Sequence, residues 1–304
     1  MNPRIAAVSL LGLAGCLAFQ KSPQSLAPPE RYVSLGQERV YVEEHGVRTT
    51  AGAPSVLLVH GFGATGRSWN PVLPRLVARH HVLVVDLPGF GRSDKYAGDY
   101  SIAAVASKLH RVLDLRQVGA VQVVCHSWGT AVCLAMALQR PDRVRSLTLI
   151  SSFAYDEQRA PFLVWAQAPG VGEVLFALFW DSRLDDRLNY SFHDPQRVIH
   201  PDAVENVRGL MRLPGAMAAS LAVARGMSFG WMEPRYSELR QPVLVISGRE
   251  DAVTRLPAAT RLVNQIPGAR HVVIPSCGHV PMVEQPAKLM QALLAFLDPQ
   301  PGPR

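Results

Sequence analysis

Cysteine is scarce in this chain of 304 residues, with four in all, at positions 16, 125, 133 and 277. Four is too few for a disulfide scaffold, and the spacings match no zinc-ligand pattern, so no structural metal is expected. Charge is sparse as well, at 18% of residues, and although the formal balance is +7, no basic run interleaved with aromatics occurs. The arginines are dispersed among acids, as in Arg140, Asp142, Arg143 and Arg145. That is how a solvated surface looks, and nucleic-acid binding is not expected. Aromatics make up 7%, and the 23 glycines and 24 prolines follow no fixed period, which excludes a fibre, a solenoid and a low-complexity chain. What remains is 48% hydrophobic residues, enough for a globular chain that buries most of its surface in one large domain or two modest ones.

At the amino terminus, Arg4 precedes an uncharged stretch, Ile5 to Phe19. It is too short to span the ~30 Å hydrocarbon core of a bilayer as a helix and reads as a signal peptide over residues 1–15. The apolar segment closes on Leu13-Ala14-Gly15-Cys16, which resembles the lipobox of bacterial lipoproteins. The resemblance implies that Cys16 is acylated and anchors the protein in a membrane, with a plain signal peptide or an uncleaved apolar anchor as the alternatives. Leu17 after Cys16, in place of aspartate, points to the outer membrane if the source is a Gram-negative bacterium. Residues 16–30 are then a lipid-anchored tether, polar and proline-rich from Gln20 to Glu30, that keeps the folded part off the bilayer.

Beyond the tether, two runs of β-type residues flank Gly36 between Tyr32 and Glu44 and suggest a hairpin. Short apolar runs follow at Val56–Val59, Val82–Val85, Val121–Cys125, Leu147–Ile150, Val243–Ile246 and Val272–Ile274. They are rich in β-branched residues and bounded by Gly, Pro or polar residues, as strands buried on both faces are in a parallel sheet. Between them, helical spacing runs over Trp69–Arg79, Ser101–Leu115, Trp128–Gln139, Leu256–Gln265 and Pro286–Leu297. The alternation predicts an α/β fold with a mostly parallel central sheet flanked by helices. The interval 153–232 breaks the rhythm; it is too long for a structureless loop and is read as a helical cap inserted between core segments 31–152 and 233–298. Residues 299–304 are expected to be a flexible tail.

The chemistry gathers at strand ends. Cys125-His126-Ser127-Trp128-Gly129 follows a buried strand and opens a helix, the setting of a nucleophile elbow. A serine needs a base within hydrogen-bonding reach, a group that orients the base, and donors for the oxyanion it creates on a carbonyl. His279, in Cys277-Gly278-His279, and Asp251, in Gly248-Arg249-Glu250-Asp251, each follow a predicted strand, in the chain order Ser, Asp, His. Glu250 and Asp156 compete with Asp251 for the orienting role. After an earlier strand, His60-Gly61-Phe62-Gly63 can aim the Phe62 amide at the point that the Trp128 amide faces.

With these residues in order, the chain resembles the α/β-hydrolase family, specifically its single-cap members, over about Tyr32 to Leu297. The likeness rests on His60-Gly61-Phe62-Gly63, on Asp86-Leu87-Pro88-Gly89-Phe90-Gly91-Arg92-Ser93-Asp94, on the elbow, and on His279 with Glu284 and Pro286 downstream. It implies that Ser127 attacks, that His279 serves as base and then acid, and that Asp251 holds its imidazole. Serine at 127 argues against the aspartyl chemistry of haloalkane dehalogenases and epoxide hydrolases. Two positions depart from the family pattern: Cys125 stands where the elbow has glycine, and Thr130 where another small residue is common.

Other readings are plainer. His60 and His126 are expected to be structural, Cys125 and Cys277 to be small buried hydrophobes, and Glu284 to begin the final helix. Cys125 and Cys133 bracket the elbow, but a disulfide there is expected to strain the turn and is not predicted. Apolar residues, with Trp128 at the floor and Phe153 and Trp165 on the walls, are expected to line a substrate pocket unless they simply pack the cap or dip into a membrane held close by lipidated Cys16. The expectation is a cofactor-free serine hydrolase acting through an acyl-enzyme on a small or medium apolar ester. Carbon–carbon hydrolysis, amide or iminopeptide hydrolysis and acyl transfer use the same residues, and a catalytically silent binding lipoprotein is the alternative outside enzymology. Nothing in the sequence assigns an oligomeric state.

Overall fold

The computed structural model describes residues 18–20, 27–48, 54–180 and 184–298. The expected signal peptide, Cys16 and the tail 299–304 lie outside the described residues. Eight strands form one sheet: β1 (Tyr32–Leu35), β2 (Glu38–His45), β3 (Ser55–Val59), β4 (Val82–Val85), β5 (Val121–His126), β6 (Val144–Ile150), β7 (Val243–Gly248) and β8 (Arg270–Ile274). Their order is β1-β2-β4-β3-β5-β6-β7-β8. The first two pairings are antiparallel and the rest parallel. Gly36, at φ +75, opens the two-residue turn of the β1–β2 hairpin, a position where glycine carries no steric cost.

Alternate residues of the parallel strands feed two separate cores. Leu57 and Val59, Leu83 and Val85, and Val243 and Val245 pack to one face; Val56 and Leu58, Val82 and Val84, and Leu244 and Ile246 pack to the other. Both faces are therefore dry, which is why the strands read as continuous apolar runs. The helices Ile102–Leu115, Trp128–Gln139 and Leu256–Gln265 cover the first face, and Pro286–Leu297 covers the second. Every residue of the central helix from Trp128 to Leu138 is buried, so it shows no polar side.

Where helical spacing ran over Trp69–Arg79, the structure has a 3-10 turn, Gly66–Trp69, and a short helix, Leu73–Val77. Pro71 and Pro74 lack the amide that a continuous helix needs, which divides the segment. Within 153–232 every regular element among the described residues is helical: Pro161–Trp165, Val171–Phe179, Leu184–Ser191, Pro195–Val198, Pro201–Met211 and Ala216–Gly226, after a 3-10 turn at Asp156–Gln158. They share their own small core of Phe176, Trp180, Met211 and Leu221.

Of the segment read as a tether, Ala18–Gln20 lies on the folded part: Gln20 and Lys95 exchange backbone hydrogen bonds of 2.9 and 3.0 Å, and the Phe19 ring stacks on Tyr100. One expectation is corrected: Cys125 and Cys133 form a disulfide, with Cα atoms 6.6 Å apart. The elbow folds the first two turns of the helix back beside the end of β5, so the Cα separation already falls in the bridging range without bending the turn. Cys277 remains a free, buried thiol.

Closing so short a loop removes about 2–3 kcal/mol of unfolded-chain entropy in the loop-closure treatment. Cys133→Ala is therefore expected to lower Tm by about 3–5 °C in a chain of this size. A thermal melt that matches the unsubstituted protein, reduced or oxidised, would show that the two sulfurs are not joined.

Candidate active site

All the candidate groups hang from the carboxyl ends of parallel strands, where an open α/β sheet forms its crevice. Ser127 follows β5, His60–Gly63 follow the adjacent β3, Asp251 follows β7 and His279 follows β8. The chain turns at Ser127 with φ +51 and ψ −126, a backbone state that costs on the order of 1–3 kcal/mol for a residue with a side chain. Neighbouring contacts hold it there: the Ser127 amide donates to the Ile150 carbonyl at 2.9 Å. Two glycines make room. A Cβ on Gly61 would lie 2.8 Å from that of Ser127, and one on Gly129 would press on the carbonyls of Val59 and His60. Thr130, where a smaller residue was expected, is used: its hydroxyl donates to the Ser127 carbonyl at 2.6 Å and receives the Phe153 amide at 2.9 Å.

Ser127, His279 and Asp251 form one chain of contacts. Oγ of Ser127 lies 2.9 Å from Nε2 of His279, and Nδ1 of that ring lies 2.9 Å from Oδ2 of Asp251. The Asp251 carboxylate is further held by the amides of Val253 and Thr254, each at 2.8 Å, and by the Thr254 hydroxyl at 2.7 Å. Burial alone would raise its pKa; the neighbouring His279 and the Thr254 hydrogen bonds outweigh burial and hold it below the ordinary carboxylate value. The competing acids are occupied elsewhere. Glu250 accepts the Cys277 amide at 2.9 Å, and Asp156 pairs with Arg159 at 3.0 Å.

His60 and His126 serve as struts. Nε2 of His60 accepts the Leu87 amide at 2.9 Å while Nδ1 donates to the Gly61 carbonyl at 2.8 Å, so two loops beside the serine are tied together. His126 donates from Nε2 to the His279 carbonyl at 2.8 Å. Burial first, and the nearby His279 second, push the His126 pKa down to about 3, so this ring stays neutral. The Asp86–Asp94 segment is likewise structural, with the Asp86 carboxylate accepting the Gly66 and Arg92 amides and Asp94 gripping Arg39. Burial raises the Cys277 thiol well above its usual pKa, which leaves it protonated and unreactive near neutral pH.

Sequence reasoning missed three contributors. Thr254 carried a weak signal, because an Asp three residues before a Thr commonly caps a turn. Glu284 carried none: its carboxylate accepts the amides of Gly278 at 2.9 Å and of His193, in the helical segment, at 2.7 Å. The third is Ser191, whose carbonyl accepts the His279 amide at 2.7 Å.

The residues expected to line a pocket separate. Phe62 meets Phe90 and Trp180 edge-on at 5.6 and 6.4 Å, and the Trp128 ring sits 5.9 Å from Phe90. This apolar row lies beside the elbow. Phe153 packs on Phe229 at 5.4 Å. Trp165, at the carboxyl end of its short helix, is 62% exposed and does not line the site, while Phe162 of the same helix stacks on Phe176.

A family model described as the alpha/beta hydrolase fold matches residues 54–286. A pimeloyl-acyl-carrier-protein methyl ester esterase of Nitrosomonas europaea is 28% identical over 260 residues, covering 82% of this chain and 98% of that protein. A putative carbamate hydrolase of Azorhizobium caulinodans is 29% identical over 275 residues, covering 87% and 97%. Among solved structures, a thermophilic esterase from Thermogutta terrifontis superposes with a TM-score of 0.69 at 25% identity, covering 91% of this chain and 97% of its own. With a match that spans all the strands bearing the candidate groups, this chain belongs to the alpha/beta hydrolase fold family and is a hydrolase.

Proposed function

We propose that the protein is a serine hydrolase that cleaves a carboxylic ester of a small or medium apolar substrate through an acyl-enzyme. One observation carries this reading, the continuous set of 2.9 Å contacts from Ser127 through His279 to Asp251. A catalytically silent binding protein has no need to keep that chain unbroken around a strained serine. The named esterases among the relatives support an ester over an amide or a carbon–carbon bond.

Nε2 of His279 takes the Ser127 proton as Oγ adds to the ester carbonyl. The amides of Phe62 and Trp128 receive the oxyanion, and the Asp251 carboxylate stabilises the imidazolium. When the tetrahedral centre collapses, the alkoxide leaves with the proton from Nε2, and the acyl group stays on Oγ. Water, deprotonated by Nε2, then releases the carboxylic acid and restores the serine. The aromatic row of Phe62, Phe90 and Trp128 favours an apolar acyl or alkyl group over a charged one. The amino-terminal reading completes the proposal: the protein is held in the bacterial cell envelope by lipid on Cys16.

Ser127→Ala is expected to reduce hydrolysis of p-nitrophenyl esters by several orders of magnitude, on the scale of about a millionfold seen when a triad serine is removed, and to abolish fluorophosphonate labelling. Equal rates for the two proteins would end the enzymatic reading. Thr254→Val removes a hydrogen bond to the ionised form of Asp251, so its pKa rises and the acid limb of kcat/KM moves to higher pH. Bonds to charged groups are worth about 1.5–3 kcal/mol, so kcat is expected to fall at least about tenfold, with Thr254→Ser restoring it. A Thr254→Val enzyme with unchanged kcat and pH profile would assign the hydroxyl no part in holding Asp251. In cells, Cys16→Ser is expected to move the protein from the membrane to the soluble fraction, and unchanged partitioning counts against acylation.

A further inference from the structure

The helix Val171–Phe179 carries one charged residue, Glu173, and that carboxylate is already engaged, by Arg225 at 2.8 Å and by the Gly170 amide at 2.8 Å. Its inner side is fixed by Phe176, which stacks on Phe162 at 5.0 Å and on Trp180 at 5.5 Å. The outer side is apolar too. Val171, Val174 and Leu178, spaced three and four residues apart, are exposed together with Phe179, and beside them stand Val164 and Trp165 of the adjoining helix. A helix that is apolar all round belongs in a core or at a lipid surface. A set of large apolar side chains facing outward together marks a docking surface more often than chance.

The docked amino-terminal residues say what covers it. Gly215 has no side chain, and a Cβ there would lie 2.8 Å from the Gln20 amide nitrogen, so Ala18–Gln20 presses against the start of the helix Ala216–Gly226. Leu221 and Arg225 of that helix touch Gly172, on the apolar helix, where a Cβ would come within 2.9 and 3.0 Å of them. Phe19 and Glu173 line one cavity of about 370 Å³. The docked strand thus lies beside the apolar helix. Cys16 is two residues before Ala18, and an extended chain covers at most ~3.6 Å per residue. The backbone of Cys16 is therefore within ~7 Å of that of Ala18, so lipid on Cys16 would hold the folded part close to the bilayer surface.

We propose that the outer apolar face of the helices Pro161–Trp165 and Val171–Phe179 rests in the headgroup layer of the bilayer that receives the Cys16 acyl chains. This rests on the lipoprotein reading above for its geometry. Acylation and apolar side chains then act together as two signals for one membrane, and the net positive charge, which persists without Arg4, suits an anionic leaflet.

The test uses the full acylated chain in phosphatidylethanolamine–phosphatidylglycerol vesicles, with an environment-sensitive fluorophore on Val174→Cys and, as a control, on Leu115→Cys of a core helix. Emission is expected to shift to the blue and to be quenched by doxyl-labelled lipid at position 174 and not at 115. Water-like emission at 174, with mass spectrometry showing lipid on Cys16, overturns the proposal. If Cys16 carries no lipid, the lipoprotein reading fails by itself, and the labelled chain titrated with the same vesicles still decides the surface: a blue shift at 174 upholds it and none overturns it. In a Cys16→Ser background, Val171→Glu with Val174→Glu is expected to weaken vesicle partitioning at least tenfold while leaving p-nitrophenyl butyrate hydrolysis in solution unchanged. Equal partitioning overturns the proposal.

Discussion

The 2.9 Å contact between Oγ of Ser127 and Nε2 of His279 joins residues 152 positions apart, and most of the surrounding structure keeps that distance from changing. The serine side is rigid for steric reasons. Its φ of +51 is held in a crowded turn, where Gly61 and Gly129 let the neighbouring backbone approach to van der Waals range. The disulfide between Cys125 and Cys133 ties the end of β5 to the second turn of the helix that follows. On the histidine side the loop after β8 is also closely packed, at Gly278 against Ser191 and His193, and hydrogen bonds add to its rigidity: His126 to the His279 carbonyl, Glu284 to the Gly278 amide, and Ser191 to the His279 amide.

Electrostatics separate the titrating groups of this small space. His126 and His279 have ring centroids 4.9 Å apart, and two cations at that range would repel strongly in a dry interior. Burial resolves the conflict by keeping His126 neutral, which leaves its Nε2 proton to hold the His279 carbonyl. The carboxylates are separated by geometry. Glu250 and Asp251 are neighbours in sequence, yet the turn after β7 sends Glu250 to the Cys277 backbone and Asp251 to the imidazole. The two hydrogen bonds from the Thr254 amide and hydroxyl favour the charged form of Asp251, so it stays ionised as the imidazolium forms.

Much of the fold was legible because its signals are local. Strands buried on both faces leave unbroken β-branched runs, and Trp128–Gln139, Leu256–Gln265 and Pro286–Leu297 keep helical spacing from end to end. Ser127, His279 and Asp251 were legible because each stands in a short motif at a strand end. The unread features depend on contacts between distant segments. Glu284 reads as a helix residue until His193, 91 positions away, is brought to its carboxylate. The Cys125–Cys133 pairing depends on how closely the elbow returns its helix to β5, which the strain of the turn alone does not reveal. Composition does not say which side of a short helix faces solvent, so the exposure of Trp165 has no local signal.

The inserted helices take part in the site as well as covering it. Ser191 ends the helix Leu184–Ser191 and accepts the His279 amide, and two residues on the His193 amide reaches Glu284. A Cβ on Gly278 would lie 2.7 Å from the His193 nitrogen and 2.8 Å from the Ser191 oxygen, so the base loop and this end of the insertion are in direct backbone contact. A displacement of that helix end is therefore a displacement of the His279 amide. The same insertion turns Val171, Val174 and Trp165 outward. Packing through Phe176, Trp180 and Leu184 joins that exposed face to the helix that ends at Ser191. The insertion fixes the base loop through the hydrogen bonds at Ser191 and His193, and by those contacts it is part of the site it covers.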